Sequence, residues 1–243
     1  MLKTSQCSIL TKIILIIYLT SFSIISCFAK INNKPDFISG DFNYYVFAQS
    51  WYPTFCISGP KNECKNLTEY MKKNLSPYDL WPNKNSVKNF SNHPSYCINS
   101  SGCEADKSCD VDWKTINNST LEKIQTMMPA NLMRHEWKKH GTCSAYNQEH
   151  YFQNILSLQA KYKTPNIIVV NIGKNLSYKE ILEEFGGKDR VTILCKTINN
   201  QQYLEQIHYF IDKNLKEISK KYDQTNCNKN IKITIKRSNE EKS

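Results

Sequence analysis

Among its ten cysteines the chain has no Cys-x-x-Cys pair, and their irregular spacing speaks against a structural metal cluster. No two histidines stand four residues apart, so the usual helical zinc-protease pairing is excluded as well. The first 29 residues contain no acid. The apolar run Ile13–Leu19 is broken soon after by Thr20, Ser21 and Ser23, which makes it too short for a comfortable membrane span. There is also no internal repeat, and no linker that would divide the remainder.

What the beginning does contain is Lys3, Lys12, that short apolar run and the small residue Ala29. This is the pattern of an export signal over residues 1–29, leaving 30–243 as a single domain. Ile24-Ile25-Ser26-Cys27 also resembles a lipobox, which would tether the same domain through a lipid anchor at Cys27 instead. Either way no membrane span is expected after processing. The segment takes away two lysines and no acid, so the formal charge falls from +10 to +8, and the domain stays suited to a polyanionic partner. Eight cysteines remain: Cys56, Cys64, Cys97, Cys103, Cys109, Cys143, Cys195 and Cys227. An even number behind an export signal implies an oxidising compartment and a disulfide-stapled fold.

Asn43–Trp51 is aromatic and β-branched and reads as a buried strand stopped by Pro53. Residues 57–110 are rich in Asn, Ser, Lys and Pro and read as loop. Helices are predicted over Ser119–Met128, Leu132–His140 and His150–Lys161. Another covers Ser177–Phe185, capped by Ser177 with Glu180 and stopped by Gly186-Gly187. Arg190–Cys195, Tyr203–Ile211 and Asn230–Lys236 read as strands. The sum is an α+β domain with a central antiparallel sheet flanked by helices.

The segment Arg134–Cys143 holds the densest concentration of chemistry-bearing residues. On a helix, His135, Glu136, Lys139 and His140 fall within an arc of roughly 140°. A neutral imidazole there can take a proton, an ammonium and a second imidazole can hold phosphoryl oxygens, and a carboxylate can tune them. Such a face suits attack on a phosphodiester by an internal hydroxyl. That reaction needs no metal or other cofactor, and it makes RNA the substrate and DNA inert.

His135-Glu136-Trp137-Lys138-Lys139-His140-Gly141-Thr142-Cys143 closely resembles the second active-site segment of the ribonuclease T2 family. Tyr45–Trp51 resembles the family's opening strand, Leu80-Trp81-Pro82-Asn83 the end of its first active-site segment, and Ile193-Leu194-Cys195 with Tyr203–Asp212 its C-terminal strands. Met128-Pro129 before Arg134-His135-Glu136 is most similar to bacterial, periplasmic members, so a periplasmic or secreted protein is implied. The resemblance makes His140 the general base and gives His135, Glu136 and Lys139 the phosphate. Trp81 becomes a stacking face for a base and Asn83 a hydrogen-bonding edge. It also implies the pairs Cys97–Cys143 and Cys195–Cys227, leaving Cys56–Cys64 and Cys103–Cys109 as local pairs, and a monomer.

One departure stands out. Where the family has His-Gly-Leu-Trp-Pro, this chain has Tyr78-Asp79-Leu80-Trp81-Pro82. The acid that should protonate the leaving 5′-oxygen is thus a tyrosine, whose pKa of about 10 suits that task poorly. Asp79 adds a carboxylate next to the phosphate site, where it is expected to repel RNA. His93 would substitute for that acid if it approached the site, but it reads as a surface-loop residue. Two functions follow from the sequence: a metal-independent endoribonuclease of impaired activity leaving 2′,3′-cyclic phosphate ends, or a non-catalytic RNA-binding or signalling descendant.

Overall fold

The computed structural model describes residues 37–86, 93–97, 100, 109–221 and 224–238. The export segment 1–29, Cys27 and Cys103 lie outside them. Among the described residues no helix is long and apolar enough to cross a membrane.

Six strands form one sheet: β1 (Tyr44–Ser50), β2 (Ser76–Asn83), β3 (Asn175–Leu176), β4 (Val191–Ile198), β5 (Gln201–Ile211) and β6 (Ile233–Thr234). The order runs β2-β1-β5-β6-β3, with β4 also paired to β5. The pairs β2–β1, β1–β5 and β4–β5 are antiparallel, as the sequence implied. Only β5–β6 is parallel, so the sheet is mixed. β1 is buried along its whole length because it lies between β2 and β5 with side chains packed on both faces.

The strand β2 falls inside the stretch read as loop. Pro77, Asp79 and Pro82 hide it from a propensity argument. A proline is tolerated because β2 is an edge strand, bonded only to β1, and need not donate on its outer side. Its register slips beside Gln49, so that Pro77 and Asp79 face consecutive β1 residues and Tyr78 bulges out between them.

Three short helices, α1 (Tyr52–Phe55), α2 (Lys61–Cys64) and α3 (Glu69–Lys73), lead from β1 to β2. Then come α4 (Asn118–Met127), α5 (Ala130–Lys139), α6 (Gln148–Lys161), α7 (Asn166–Val170) and α8 (Tyr178–Glu184). The α8 capping box is present in full, with Ser177 and Glu180 satisfying each other's backbone amides. Gly186 and Gly187 follow at φ +87° and +94°, the left-handed stop that only glycine adopts without strain.

The larger core lies between the sheet and α4–α6, where Phe47, Leu80, Trp137, Tyr151, Phe152 and Ile155 are all fully buried. Each such side chain is worth roughly 1.5–3 kcal/mol, more than the ~1 kcal/mol of an N-cap such as Asn147 on α6. Packing therefore holds α6 in place. Disulfides join Cys56 to Cys64, Cys97 to Cys143 and Cys195 to Cys227, and Cys109 is also disulfide-bonded.

Candidate active site

The helix carrying the basic motif ends at Lys139. His140 is its C-cap, at φ −121°, ψ −39°, and Gly141–Cys143 turn away as one 3₁₀ turn. Gly141 sits against the Trp137 ring, which a Cβ there would meet at 2.4 Å. That close approach folds the chain back and delivers the His140 ring inward.

Residues 93–97 are clamped to this helix end by four interactions. The Tyr96 amide donates to the Lys139 carbonyl at 2.7 Å, and the Cys97 amide to Thr142 Oγ1 at 3.2 Å. His140 Nδ1–H donates to the Pro94 carbonyl at 3.3 Å, and Cys97–Cys143 closes the clamp.

A cleft of about 310 Å³ opens here. Its walls include Lys139 and His140 from the end of α5, His93 and Ser95 from the clamped segment, Trp81 from β2, and Gln206 and His208 from β5. That volume is at the small end of ligand pockets. His140 is buried, and desolvation, reinforced by the neighbouring Lys139 ammonium, holds its imidazole pKa well below the usual value. It is therefore neutral, with Nδ1–H fixed on Pro94 and the basic lone pair on Nε2.

Glu136 is also buried, its side chain 3 % exposed against 53 % for His135. Its Oε1 lies 3.9 Å from His135 Nε2 and its Oε2 3.9 Å from His140 Nε2, with the Trp81 indole N–H directed at Oε2 at 3.5 Å. The four motif residues are thus split: Glu136 and His140 are inside, Lys139 is at the wall and His135 is at the surface.

The structure revises four sequence expectations. Asp79 does not face solvent as a charge. It is fully buried, accepts a hydrogen bond from the Tyr151 hydroxyl and is bonded to Glu136. Burial first, and then the Glu136 charge, push its carboxyl well above the usual range, so it is a neutral acid that repels nothing. Asn83 is fully buried as well, and its Oδ1 accepts from His93 Nδ1–H rather than presenting an edge to a base. Tyr78 is absent from the described cleft wall. It packs edge-on against Phe55 at 6.1 Å and Trp81 at 6.0 Å, and burial pushes its phenol well above 10.

His93, finally, is no surface residue: it is 7 % exposed, with its ring parallel to Trp81 at 18° and 6.4 Å. Trp81 itself lines the cleft wall. His208 was not singled out from the sequence. It meets Trp81 edge-on at 5.2 Å, bonds Gln206 Oε1 at 2.7 Å, and burial lowers its pKa to about 3. Gln206 and His208 are two apart on β5 and so share one face of the strand, and that period was the signal available.

Asp79, Glu136 and His140 bring one ligand-type atom each to within 4.8 Å of one another. Glu136 is common to both contacts, paired with Asp79 on one side and 3.9 Å from His140 Nε2 on the other.

A mixed sheet with an antiparallel ladder and helices packed against it define an α+β fold with a cleft lined by imidazoles. The chain belongs to the ribonuclease T2 family, whose model matches residues 42–236. It is 31 % identical over 129 residues to intracellular ribonuclease LX of Solanum lycopersicum, covering 51 % of this chain and 50 % of that protein. To ribonuclease I of Escherichia coli K12 it is 26 % identical over 203 residues, 71 % of this chain and 76 % of that one. The chain therefore spans about half the length of the tomato relative and three quarters of the bacterial one. Its fold matches the self-incompatibility SF11-RNase of Nicotiana alata at TM-score 0.59 and 17 % identity, covering 81 % of this chain and all of that one. An RNase-related protein from Calystegia sepium matches at TM-score 0.56 and 20 % identity, over 82 % and 98 % of the two chains.

Proposed function

We propose that this protein is a metal-independent endoribonuclease that cuts RNA by attack of the ribose 2′-hydroxyl, leaving 2′,3′-cyclic phosphate and 5′-hydroxyl ends. The observation that carries the reading is His140: a neutral imidazole with its tautomer set by the Pro94 carbonyl and its Nε2 in a cleft beside the Lys139 ammonium. Such a nitrogen removes the 2′-proton. Lys139 and His135 hold the phosphoryl oxygens as charge builds in the transition state. Glu136 keeps His135 and His140 in register through one carboxylate. Trp81 offers a face for a nucleobase. DNA lacks the nucleophile and is not cut.

Residues 1–29 direct export to the periplasm or the medium, by cleavage after Ala29 or lipidation at Cys27, and the domain acts as a monomer. Oxidised, refolded protein given homopolymer RNA in EDTA should release cyclic phosphate ends, and His140→Ala should abolish that release. RNA binding without turnover would mean a non-catalytic descendant, and cleavage stopped by EDTA would mean a metal hydrolase.

A further inference from the structure

We propose that His93 is the second catalytic imidazole, the group that protonates the 5′-oxygen as it leaves. This rests on the endoribonuclease reading above, in which a base has been identified but the acid has not. The case is geometric. His93 and His140 line one cleft and lie against the same indole, with centroids 6.4 Å and 5.9 Å from that of Trp81. They are tied together through the chain as well, because His140 donates to the carbonyl of Pro94, the residue next to His93. The Asn83 carbonyl holds the proton of His93 Nδ1, so the proton that this ring gains and gives is the one on Nε2. Asn83, fully buried at the end of β2, is the positioning residue for that ring.

The phenol that stands in the family's acid position is placed elsewhere. Tyr78 is packed between Phe55 and Trp81, away from the described cleft wall, and burial makes its phenol a weaker acid than usual. Around His93 the charged and titratable groups are Lys139 and His140 at the end of α5 and His208 on β5. Desolvation, with Lys139 second, lowers the His93 pKa to about 4, so the cationic ring is a strong proton donor once formed. An incoming phosphate supplies the negative charge that favours forming it.

The 2′-O–H bond breaks and its proton goes to His140 Nε2. The 2′-oxygen bonds to phosphorus, the bond from phosphorus to the 5′-oxygen breaks, and the proton on His93 Nε2 passes to that oxygen. Solvent returns one proton from His140 and one to His93, and no oxidant, reductant or metal takes part.

The test uses two substrates with the same 2′-hydroxyl. The dinucleotide uridylyl-adenosine expels an alkoxide that needs a proton, whereas uridine 3′-(4-nitrophenyl phosphate) expels a phenolate that does not. For His93→Ala in the full oxidised protein, kcat/KM on the dinucleotide should fall at least about 100-fold, while the nitrophenyl ester should change by less than about threefold. His93→Gln keeps a donor for Asn83 and should behave alike, which covers the event that the alanine variant does not fold. Equal loss on both substrates, or no loss on the dinucleotide, overturns the proposal, as does failure of both variants to fold. His140→Ala reports on the parent reading separately, because loss of the base must slow both substrates.

Discussion

The carboxyl of Asp79 is hydrogen-bonded to the carboxyl of Glu136 in the interior, with the Tyr151 hydroxyl donating to Asp79 from the far side. Two carboxylates cannot both ionise at that separation without water, so the pair retains a proton, and burial assigns it to Asp79. Asp79 therefore acts as a neutral donor that holds Glu136 where it faces both His135 and His140.

Asp79→Asn should then stabilise the protein in a pH-dependent way. Unfolded, the aspartate ionises at about 3.9; folded, its pKa is raised. Between those two values the native state holds a proton that the unfolded chain has released, so stability declines as pH rises through that window. Asparagine offers an oxygen to Tyr151 and an N–H to Glu136 without titrating. The melting-temperature difference, variant minus parent, should be small at pH 4 and grow steadily toward pH 8. A constant difference, or a variant less stable than its parent at pH 8, would refute the shared proton. Asp79→Leu, which leaves Glu136 and Tyr151 only the long bonds to the Trp81 indole N–H and the Leu80 carbonyl, should lose about 1–3 kcal/mol.

The packing of Tyr78 changes what its replacement should do. From the sequence, restoring histidine at this position would return the missing acid. In the structure the ring lies behind Trp81 and against Phe55, so Tyr78→His should raise dinucleotide cleavage at pH 5–7 by less than about tenfold. Tyr78→Phe keeps both edge contacts and loses only the hydroxyl, and it should cleave within about threefold of the parent. A large gain for the histidine variant in steady-state assays would show that position 78 reaches the leaving group after all.

The motif from His135 to Cys143 was legible in the chain because its residue types are dense and share a helical face. So were β1, α6, α8 with its capping box, and the aromatic pattern of β5. What was hidden follows from long-range geometry. β2 looked like loop because two prolines are compatible only with an edge, and which strand is an edge depends on the whole sheet. Asp79 looked like a repulsive charge because nothing local reveals that Glu136 and Tyr151, 57 and 72 residues further on, enclose it. His93 looked like a surface loop residue because the disulfide and the Pro94 bond that pull its segment inward link positions about 46 residues apart.

Exposure separates the duties of the two motif histidines. His140 is buried and neutral, and His140→Ala should lower kcat by ~10²- to 10⁴-fold at any salt concentration. His135 is half exposed and stands outside the described cleft wall, so His135→Ala should raise KM several-fold and leave kcat within about threefold. The KM effect should shrink as salt is raised, because exposed charge is screened. Steady-state kinetics across an ionic-strength series would check the division. Equal kcat losses from the two variants would contradict it.

The bridge Cys97–Cys143 joins the two halves of the cleft, since it fixes the segment holding His93 and Pro94 to the turn that presents His140. Removing it with Cys97→Ser and Cys143→Ser together should have two separable effects. The first is global: a closed loop of 46 residues is released, and chain entropy assigns such a loop about 4 kcal/mol, with 2–4 kcal/mol the typical measured range. Denaturant unfolding reads this directly. The second is local, because the remaining ties, Tyr96 to Lys139, Cys97 to Thr142 and His140 to Pro94, are single hydrogen bonds worth roughly 0.5–1.5 kcal/mol each. At temperatures where the double variant is still folded, that segment should open, and amide exchange should accelerate at Tyr96 far more than at core positions such as Val46. Catalysis should fall with it on the dinucleotide, which needs both imidazoles, more than on the nitrophenyl ester, which needs only the base. If the folded double variant cleaved both substrates at the parent rate, the clamp would be a stability device alone, and the close placement of the two histidines would not depend on it.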